Sequence, residues 1–209
     1  MNLWFGHFLF AALFLCSSAL TPEECKPLVT PLSLADPSMM FGRTNFLVGY
    51  TDTELYNNML KVTDSSWLNI SASDTPNKVI MSQENKMGGK CLSSLVGVTI
   101  DGDTVTTSYA NVTSVFHLLP SCDGCLVFNI NSRARNIEKL LSLMNMTSTA
   151  EEITTHALYL LGPETTLKDS DLEHFKKQAS CLGFSKEPDF VYNPEKGFCA
   201  EGEGIKLPF

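Results

Sequence analysis

Cysteine is the residue type with the most varied chemistry in this 209-residue chain. Six of its seven copies lie between Cys25 and Cys199, and the seventh is Cys16. Cys122 and Cys125 form a single C-x-x-C, a spacing that suits a redox pair, a soft-metal clip or a structural disulfide. A zinc site would need a second such pair and a thioredoxin motif would need a βαβ setting, and the sequence has neither. The disulfide is therefore the favoured interpretation.

The histidines offer little for catalysis. Beyond the N-terminal stretch they are His117, His156 and His174, and no G-x-S-x-G, H-E-x-x-H or P-loop motif accompanies them. His117 and His156 lie at opposite ends of the predicted strand order, which disfavours a shared metal relative to structural or solvated imidazoles. The sequence predicts neither an enzyme nor a metal or cofactor site.

The first nineteen residues carry no Asp, Glu, Lys or Arg, and they run apolar from Phe8 to Leu15 before Ser17-Ser18-Ala19. This pattern is typical of a secretory signal peptide, and the apolar run is too short to span a membrane. We expect residues 1–19 to be removed and residues 20–209 to form one domain without membrane insertion. Secretion into an extracellular fluid places the six remaining cysteines in an oxidising compartment, where disulfides are the default.

Three sequons agree with secretion. They begin at Asn69, Asn111 and Asn145, and we predict N-glycosylation at these asparagines. The formal charge of -8 disfavours nucleic acid and anionic membranes as partners, because both repel an acidic protein.

Alternating apolar residues predict the strands that must position a binding site. Between Cys91 and Ile130, turns at Asp101-Gly102 and at residues 122–125 predict an antiparallel meander of three strands, with Asn111 facing water in the middle one. Further strands are predicted at residues 46–50, 66–73, 78–84, 152–161 and 190–192. Residues 20–40 are rich in proline and predict an extended arm tied down by Cys25.

Helical spacing predicts a short turn over residues 53–60, an amphipathic segment over residues 137–144 and a C-terminal helix with an apolar stripe from Leu172 to Leu182. Eight strands with mostly tight connections and one late helix predict an all-β fold. Specifically, they predict an eight-stranded antiparallel up-and-down barrel with the C-terminal helix packed outside. Such a barrel can hold one small ligand.

Ordered motifs along the mature chain resemble the lipocalins and, within them, orosomucoid (α1-acid glycoprotein). They are Cys25 to Val29, Gly42-Arg43 in the place of the G-x-W motif, Glu54 to Asn57, Phe116 to Leu119, Pro163 to Thr166, Cys181-Leu182, Val191-Tyr192 and Cys199. Two departures are Thr44, where lipocalins have a Trp that plugs the barrel base, and a long insert from Arg133 to Glu152. Within the group, the chain looks similar to fish plasma proteins described as tributyltin-binding and as saxitoxin- and tetrodotoxin-binding.

The resemblance implies a carrier with a ligand pocket inside the barrel. Carried over position by position, the pocket residues are Phe46, Tyr56, Leu60, Leu68, Ile70, Leu126, Phe128 and Tyr159. Strand alternation independently predicts that five of these side chains point inward. The alternative is that the residues fill a closed core without binding a ligand. Aromatic faces attract cations, so the expected partner is a small hydrophobic or cationic molecule. Thr107 or Ser108 stands where orosomucoid has an Arg, which makes acidic ligands less suitable.

Several finer expectations follow from the same resemblance. It pairs Cys25 with Cys181, Cys91 with Cys199 and Cys122 with Cys125, and it places the C-x-x-C at the open mouth and the long insert at the closed end. The strand cysteine of the prostaglandin-isomerising lipocalins has no counterpart here. The alternative function is that of an acute-phase glycoprotein that modulates cells through its glycans, with the pocket incidental.

Overall fold

The computed structural model describes residues 20–109 and 111–206. The predicted signal peptide lies outside the described residues. Among those residues, no helix is both long and apolar enough to cross a membrane.

Eight long antiparallel strands close into a barrel. They are β1 (Gly42–Thr51), β2 (Thr63–Ala72), β3 (Lys78–Met87), β4 (Lys90–Asp101), β5 (Thr104–Tyr109), β6 (Val112–Leu119), β7 (Leu126–Arg135) and β8 (Glu152–Gly162). Each strand pairs with its neighbours in sequence, and the β1–β8 pairing closes the ring. Two short strands add to it: β9 (Phe190–Val191) pairs with β1, and β10 (Ile205–Lys206) pairs in parallel with β4.

Within the described residues, four α-helices and one 3₁₀ helix accompany the barrel. The α-helices are α1 (Pro22–Val29), α2 (Glu54–Val62), α3 (Glu138–Leu143) and α4 (Asp169–Cys181), and the 3₁₀ helix spans Pro37–Met40. Helix α4 is the predicted C-terminal helix, and its Phe175 and Ala179 belong to the main hydrophobic core. The predicted barrel with an outer helix is confirmed.

The middle strand of the predicted meander is in fact a hairpin. Strands β5 and β6 pair with each other, and the last pair of residues before the turn is Tyr109 and Val112. Asn111 adopts a left-handed backbone with φ 61°, a region that asparagine tolerates better than most residues. The hairpin adds one strand to the predicted barrel. The barrel still has eight strands, because the segment at residues 190–192, which was predicted as the eighth, is a short additional strand beside β1.

This extra hairpin changes which end of the barrel each later connection occupies. In an up-and-down barrel, successive connections alternate between the two ends. The β1–β2, β3–β4, β5–β6 and β7–β8 connections therefore share one end, the mouth, and the others share the base. The Cys122–Cys125 turn, which joins β6 to β7, lies at the base, and α3, which joins β7 to β8, lies at the mouth. Both placements implied by the resemblance were wrong.

The N-terminal segment is partly helical, so the expectation of an extended arm was also wrong. Thr21 caps α1, because its hydroxyl accepts from the Glu24 amide at 3.3 Å while the Glu24 carboxylate accepts from the Thr21 amide at 2.8 Å. After α1 the chain crosses the base. The Leu32 amide donates to the Leu118 carbonyl at 2.8 Å, and the Leu34 amide donates to the Gly102 carbonyl at 3.2 Å.

Polar contacts complete the closed end of the barrel. Gln178 of α4 is fully buried and donates to the carbonyl oxygens of Leu28 and Pro120 at 2.8 and 2.7 Å, which links α4 to the N-terminal segment and to the β6–β7 connection. Thr44 is buried at 6% exposure, and its hydroxyl has no partner within the described residues. On the outer face, Trp67 lies under the Arg43 guanidinium at 4.2 Å and donates to the Cys199 carbonyl at 2.8 Å.

Candidate ligand cavity

A cavity of about 240 Å³ lies inside the barrel. Five of the eight predicted pocket residues line it: Phe46, Tyr56, Leu68, Phe128 and Tyr159. The remaining lining residues were not among the predicted pocket residues, although Thr107 or Ser108 was noted as the position where orosomucoid has an Arg. They are Ser66, Met81, Gln83, Thr107, Val112, Ser114, Phe116, Ile130, Ser132, Thr155, Ala157 and Leu161. The alternation of inward and outward side chains along each strand explains the set, since nearly all of them occupy inward positions.

Three predicted pocket residues are core residues that do not line the cavity. Leu60, Ile70 and Leu126 are buried at 8%, 4% and 3% exposure within the main hydrophobic core. Leu126 begins β7 at the base, where it pairs with Leu161, and Leu161 itself lines the cavity. These three residues therefore fill the hydrophobic core, as the alternative interpretation holds. Ligand contact by the other five stays a prediction.

Aromatic side chains form the floor of the cavity. The ring centroids of Phe46 and Tyr159 lie 4.8 Å apart, and Phe116 meets Phe128 edge-on at 5.5 Å. Gly49 gives the first pair its space, because a Cβ at that position would lie 2.5 Å from the Phe46 ring and 3.2 Å from the Tyr159 ring. No alternation pattern marks Gly49, so only the packed structure shows why this position is a glycine.

Strand β9 pairs with β1 beyond the point at which the pairing of β1 with β2 ends. Strand β2 pairs with residues 42–45 of β1, and β9 pairs with Val48 and Gly49 further along. Phe190 of β9 then stacks on Phe46, with ring centroids 4.4 Å apart and planes within 6° of parallel. The C-terminal segment therefore supports the aromatic floor from behind.

The mostly apolar cavity contains polar side chains but no charged ones. Its lining residues include no Lys, Arg, His, Asp or Glu. The two lining tyrosines stay neutral well above physiological pH, because burial raises the pKa of both Tyr56 and Tyr159. A guest in this cavity therefore meets aromatic faces, hydroxyls and an amide rather than a counter-ion.

Helices α2 and α3 cover the mouth. They share a second hydrophobic cluster, which we call the cap cluster, formed by Leu55, Met59, Val112, Ala134, Ile137, Leu140, Leu141, Met144, Met146 and Ile153. Leu141 is fully buried there. Helix α2 contributes Leu55 and Met59 to the cap cluster and Tyr56 to the cavity, so the cap and the cavity share one element.

The fold of this chain is similar to those of solved lipocalin structures. No protein-family model and no curated protein matches the chain. Among solved structures, the siderocalin Ex-FABP is similar with a TM-score of 0.56 and 11% identity, covering 75% of this chain and 95% of its own. The bovine lipocalin allergen Bos d 2 is similar with a TM-score of 0.51 and 15% identity, and the match covers 71% of this chain and 88% of the allergen. The chain has the lipocalin fold. Identities this low show the fold alone, and the finer resemblance to orosomucoid rests on sequence motifs.

In the part of the chain that the structure describes, three disulfides stabilise this barrel of the lipocalin fold. Cys25 pairs with Cys181, Cys91 with Cys199 and Cys122 with Cys125, the pairing that the resemblance implies. Because Cys122 and Cys125 are oxidised and lie at the base, a soft-metal clip at the mouth is wrong. Glu203 approaches the Cys91–Cys199 pair, but two sulfurs joined in a disulfide leave no thiolate for a metal ion.

The histidines of the lipocalin fold have separate surroundings. His117 lies 3.1 Å from the Asp103 carbonyl, and His156 Nε2 lies 2.7 Å from the Asn129 side-chain oxygen. His174 lies on α4. They do not converge on a common site within the described residues.

Two of the three sequons lie at the barrel mouth. Asn111 is exposed in the β5–β6 turn, and Asn145 is exposed directly after α3. Asn69 lies instead on β2, where it pairs with Arg43 and Ser82 on the outer face. Glycosylation at these sites stays a prediction, and at Asn111 and Asn145 it would surround the entrance.

Proposed function

We propose that this protein is a secreted carrier that holds a small hydrophobic or cationic molecule inside its barrel. The observation that carries the proposal is the 240 Å³ cavity with its aromatic floor and its uncharged lining. Ligand sites in proteins are typically concave, mostly apolar and furnished with a few polar groups. The cavity has this composition, and its volume limits the guest to a small molecule.

The aromatic side chains favour a cation over an anion. Tyr159 and Phe128 occupy directly paired positions on β8 and β7, and both line the cavity. A cation over such a face gains roughly 0.5–2 kcal/mol, with the larger values in desolvated sites. An anion finds no positive side chain among the lining residues, so its desolvation has no compensation.

Tributyltin, saxitoxin and tetrodotoxin are the specific candidates. Their support is the sequence resemblance to fish plasma proteins described by these ligands, together with a cavity suited to cations. The likeness to the siderocalin Ex-FABP, a protein described as functioning through dual ligand specificities, supports ligand binding by a barrel of this shape.

Calorimetric titration of the deglycosylated protein with the three candidates tests the proposal. Ala157→Trp fills the cavity, because Ala157 lines it between Ile130 and Thr51. Leu95→Trp is the matched control, since Leu95 points outward from β4 and is 66% exposed. We expect the wild type and Leu95→Trp to bind at least one candidate and Ala157→Trp to bind none.

Tyr159→Ala provides a second variant that removes an aromatic face without adding bulk. We expect a 5- to 30-fold loss of affinity, which is about 1–2 kcal/mol. Substituting both Cys122 and Cys125 with Ser should leave affinity unchanged, because their disulfide lies at the base. Equal binding by wild type and Ala157→Trp would contradict a site in the cavity, and a complete lack of binding would favour the glycan-mediated alternative.

A further inference from the structure

A row of hydroxyl side chains crosses four adjacent strands inside the cavity. Thr107 pairs directly with Ser114, Ser114 with Ser132, and Ser132 with Thr155. All four line the cavity. Directly paired residues lie on the same face of a sheet, so these residues, which we call the hydroxyl row, form one continuous polar band.

The hydroxyl row offers more acceptors than donors. The Ser114 and Ser132 oxygens lie 2.7 Å apart and share one hydrogen bond. Two hydroxyls together have two protons and four lone pairs, so this bond leaves one proton and three lone pairs for other partners. The Thr107 hydroxyl donates to the Gly97 carbonyl at 3.4 Å, which uses its proton and leaves its lone pairs as acceptors.

Thr155 fixes the end of the row. Its hydroxyl donates to the Asp52 carboxylate at 3.0 Å and lies 3.0 and 2.9 Å from the hydroxyls of Thr51 and Thr53. Because its one proton goes to Asp52, the other two threonines are the donors. Thr155 is therefore saturated by the protein, and it holds the row in place rather than contacting a guest.

Gln83 on the opposite wall of the barrel also presents an acceptor. The Gln83 side-chain nitrogen donates to the Asn85 oxygen at 3.1 Å and to the Ser66 hydroxyl at 3.4 Å. Both of its N–H bonds are then used within the protein, so the Gln83 carbonyl oxygen is the group available to the cavity. An acceptor is therefore available from β3 as well as from the hydroxyl row.

The position of the hydroxyl row orients a guest. Toward the mouth, the next inward row contains Val112, Ala134 and Ile153 of the cap cluster. Toward the base, the next rows contain Phe116 with Ile130 and then Phe128 with Tyr159. A molecule with one polar end thus has its polar end under the cap and its apolar body on the aromatic floor.

We infer that the hydroxyl row selects the head group of the ligand, favouring a head that donates hydrogen bonds over one that only accepts them. Hydroxyl and ammonium heads belong to the first class, and ether and carboxylate heads to the second. The inference rests on the proposed carrier function, since it concerns the same cavity. It adds a chemical class of ligand that the aromatic floor alone does not define.

A series of naphthalene probes with different 2-substituents tests the inference. The substituents are methyl, methoxymethyl, hydroxymethyl and ammoniomethyl, and binding is followed by probe fluorescence at pH 7. We expect the hydroxymethyl and ammoniomethyl probes to bind roughly 3- to 10-fold more tightly than the methoxymethyl probe, the range of one net hydrogen bond. The methyl probe measures the contribution of the aromatic floor alone.

The decisive variant replaces both Ser114 and Ser132 with Ala. Removing both partners of a hydrogen bond leaves neither unsatisfied, so we expect the fold to persist, and the affinity of the variant for the methyl probe serves as its own reference. The donor preference, which is the ratio of the affinity for the hydroxymethyl probe to that for the methoxymethyl probe, should fall toward 1. Thr107→Val is a second variant of nearly unchanged shape, and Ser82→Ala, on the outer face of β3, is the matched control that should keep the full preference.

Two results would overturn the inference while leaving the carrier function intact. One is equal affinity of wild type for the hydroxymethyl and methoxymethyl probes. The other is a donor preference that survives both in the Ser114 and Ser132 double variant and in Thr107→Val. If the wild type binds none of the probes, including the methyl probe, the proposed function fails and this inference fails with it.

Discussion

The rings of Phe46 and Tyr159 lie 4.8 Å apart inside the barrel, and the inward face of Gly49 lies against both. Phe46 also stacks on Phe190 from the C-terminal segment. This part of the aromatic floor therefore depends on three chain segments that are distant in sequence, namely β1, β8 and β9. Because Gly49 has no side chain, the two rings can meet directly above β1.

Gly49→Ala should disturb this floor. The new Cβ would lie 2.5 Å from the Phe46 ring, so the ring must move. We expect a loss of about 1–3 kcal/mol in the free energy of unfolding, the usual range for overpacking, together with weaker ligand binding. Gly97→Ala on β4 is the matched control, since no atom lies within 4 Å of its added Cβ. Urea unfolding of both variants measures the difference, and equal stabilities would contradict the packing described.

His156 should make the stability of the fold depend on pH. Burial lowers the pKa of His156, and this effect outweighs the opposing attraction of Asp52. The unfolded chain therefore takes up a proton at a higher pH than the native protein does. As the pH falls through about 6.5, the free energy of unfolding should decrease, and it should level off once the native histidine is also protonated.

Replacement of His156 with Gln tests this dependence. The variant should lose the part of the slope that lies between the unfolded and native pKa values, while its stability at pH 8 changes less. Urea unfolding at several pH values from 5 to 8 provides the measurement. A slope that is the same in wild type and His156→Gln would assign the pH dependence to other groups.

Much of the fold could be predicted from sequence because strands of period two carry their own signal. The hairpin at Asn111 escaped because it lacks the Asn-Gly or Asp-Gly pair that marks such turns. That single omission reversed the ends assigned to the Cys122–Cys125 turn and to α3. Helix α1 was missed although its signal is present, since Thr21 followed by Pro22 and by Glu24 is a capping box with proline in the first turn.

The site was predictable only in its apolar half. A search for alternating apolar residues finds Phe128 and Tyr159, but it passes over a serine on the same face. Ser114 lies two residues from Phe116, and Ser132 lies two residues from Ile130, so each shares an inward face with an apolar neighbour. Their spacing could have identified them, but their mutual contact depends on strand register, which sequence alone does not give.

Leu141→Ala should loosen the cap without unfolding the barrel. Leu141 is fully buried in the cap cluster, which is separate from the main core. Leucine-to-alanine changes at buried sites cost about 2–5 kcal/mol, and here we expect the cost to appear as local opening of α3. Hydrogen exchange should become faster in α3 and stay slow in β6 and β7, and ligand dissociation should accelerate. Leu95→Ala is the exposed control, and uniform exchange across the barrel would contradict a separate cap.

Removal of the two kinds of disulfide should have unequal effects. The Cys25–Cys181 bridge joins residues 156 positions apart, and the Cys122–Cys125 bridge joins residues 3 positions apart. On the chain-entropy relation, the long bridge stabilises by about 5 kcal/mol and the short one by about 2 kcal/mol. Paired Cys→Ser substitutions and urea unfolding measure both values. A larger loss from the short bridge would show that it stabilises the base through native contacts rather than through chain entropy.

Native mass spectrometry tests the central claim most directly, because it counts bound molecules without assuming an affinity. The measurement uses the deglycosylated protein incubated with an excess of the ammoniomethyl naphthalene probe. The account predicts one bound probe per chain in wild type and in Leu95→Trp, and none in Ala157→Trp, whose side chain fills the cavity. A probe retained equally by Ala157→Trp, or absent from all three proteins, would contradict a ligand site inside the barrel.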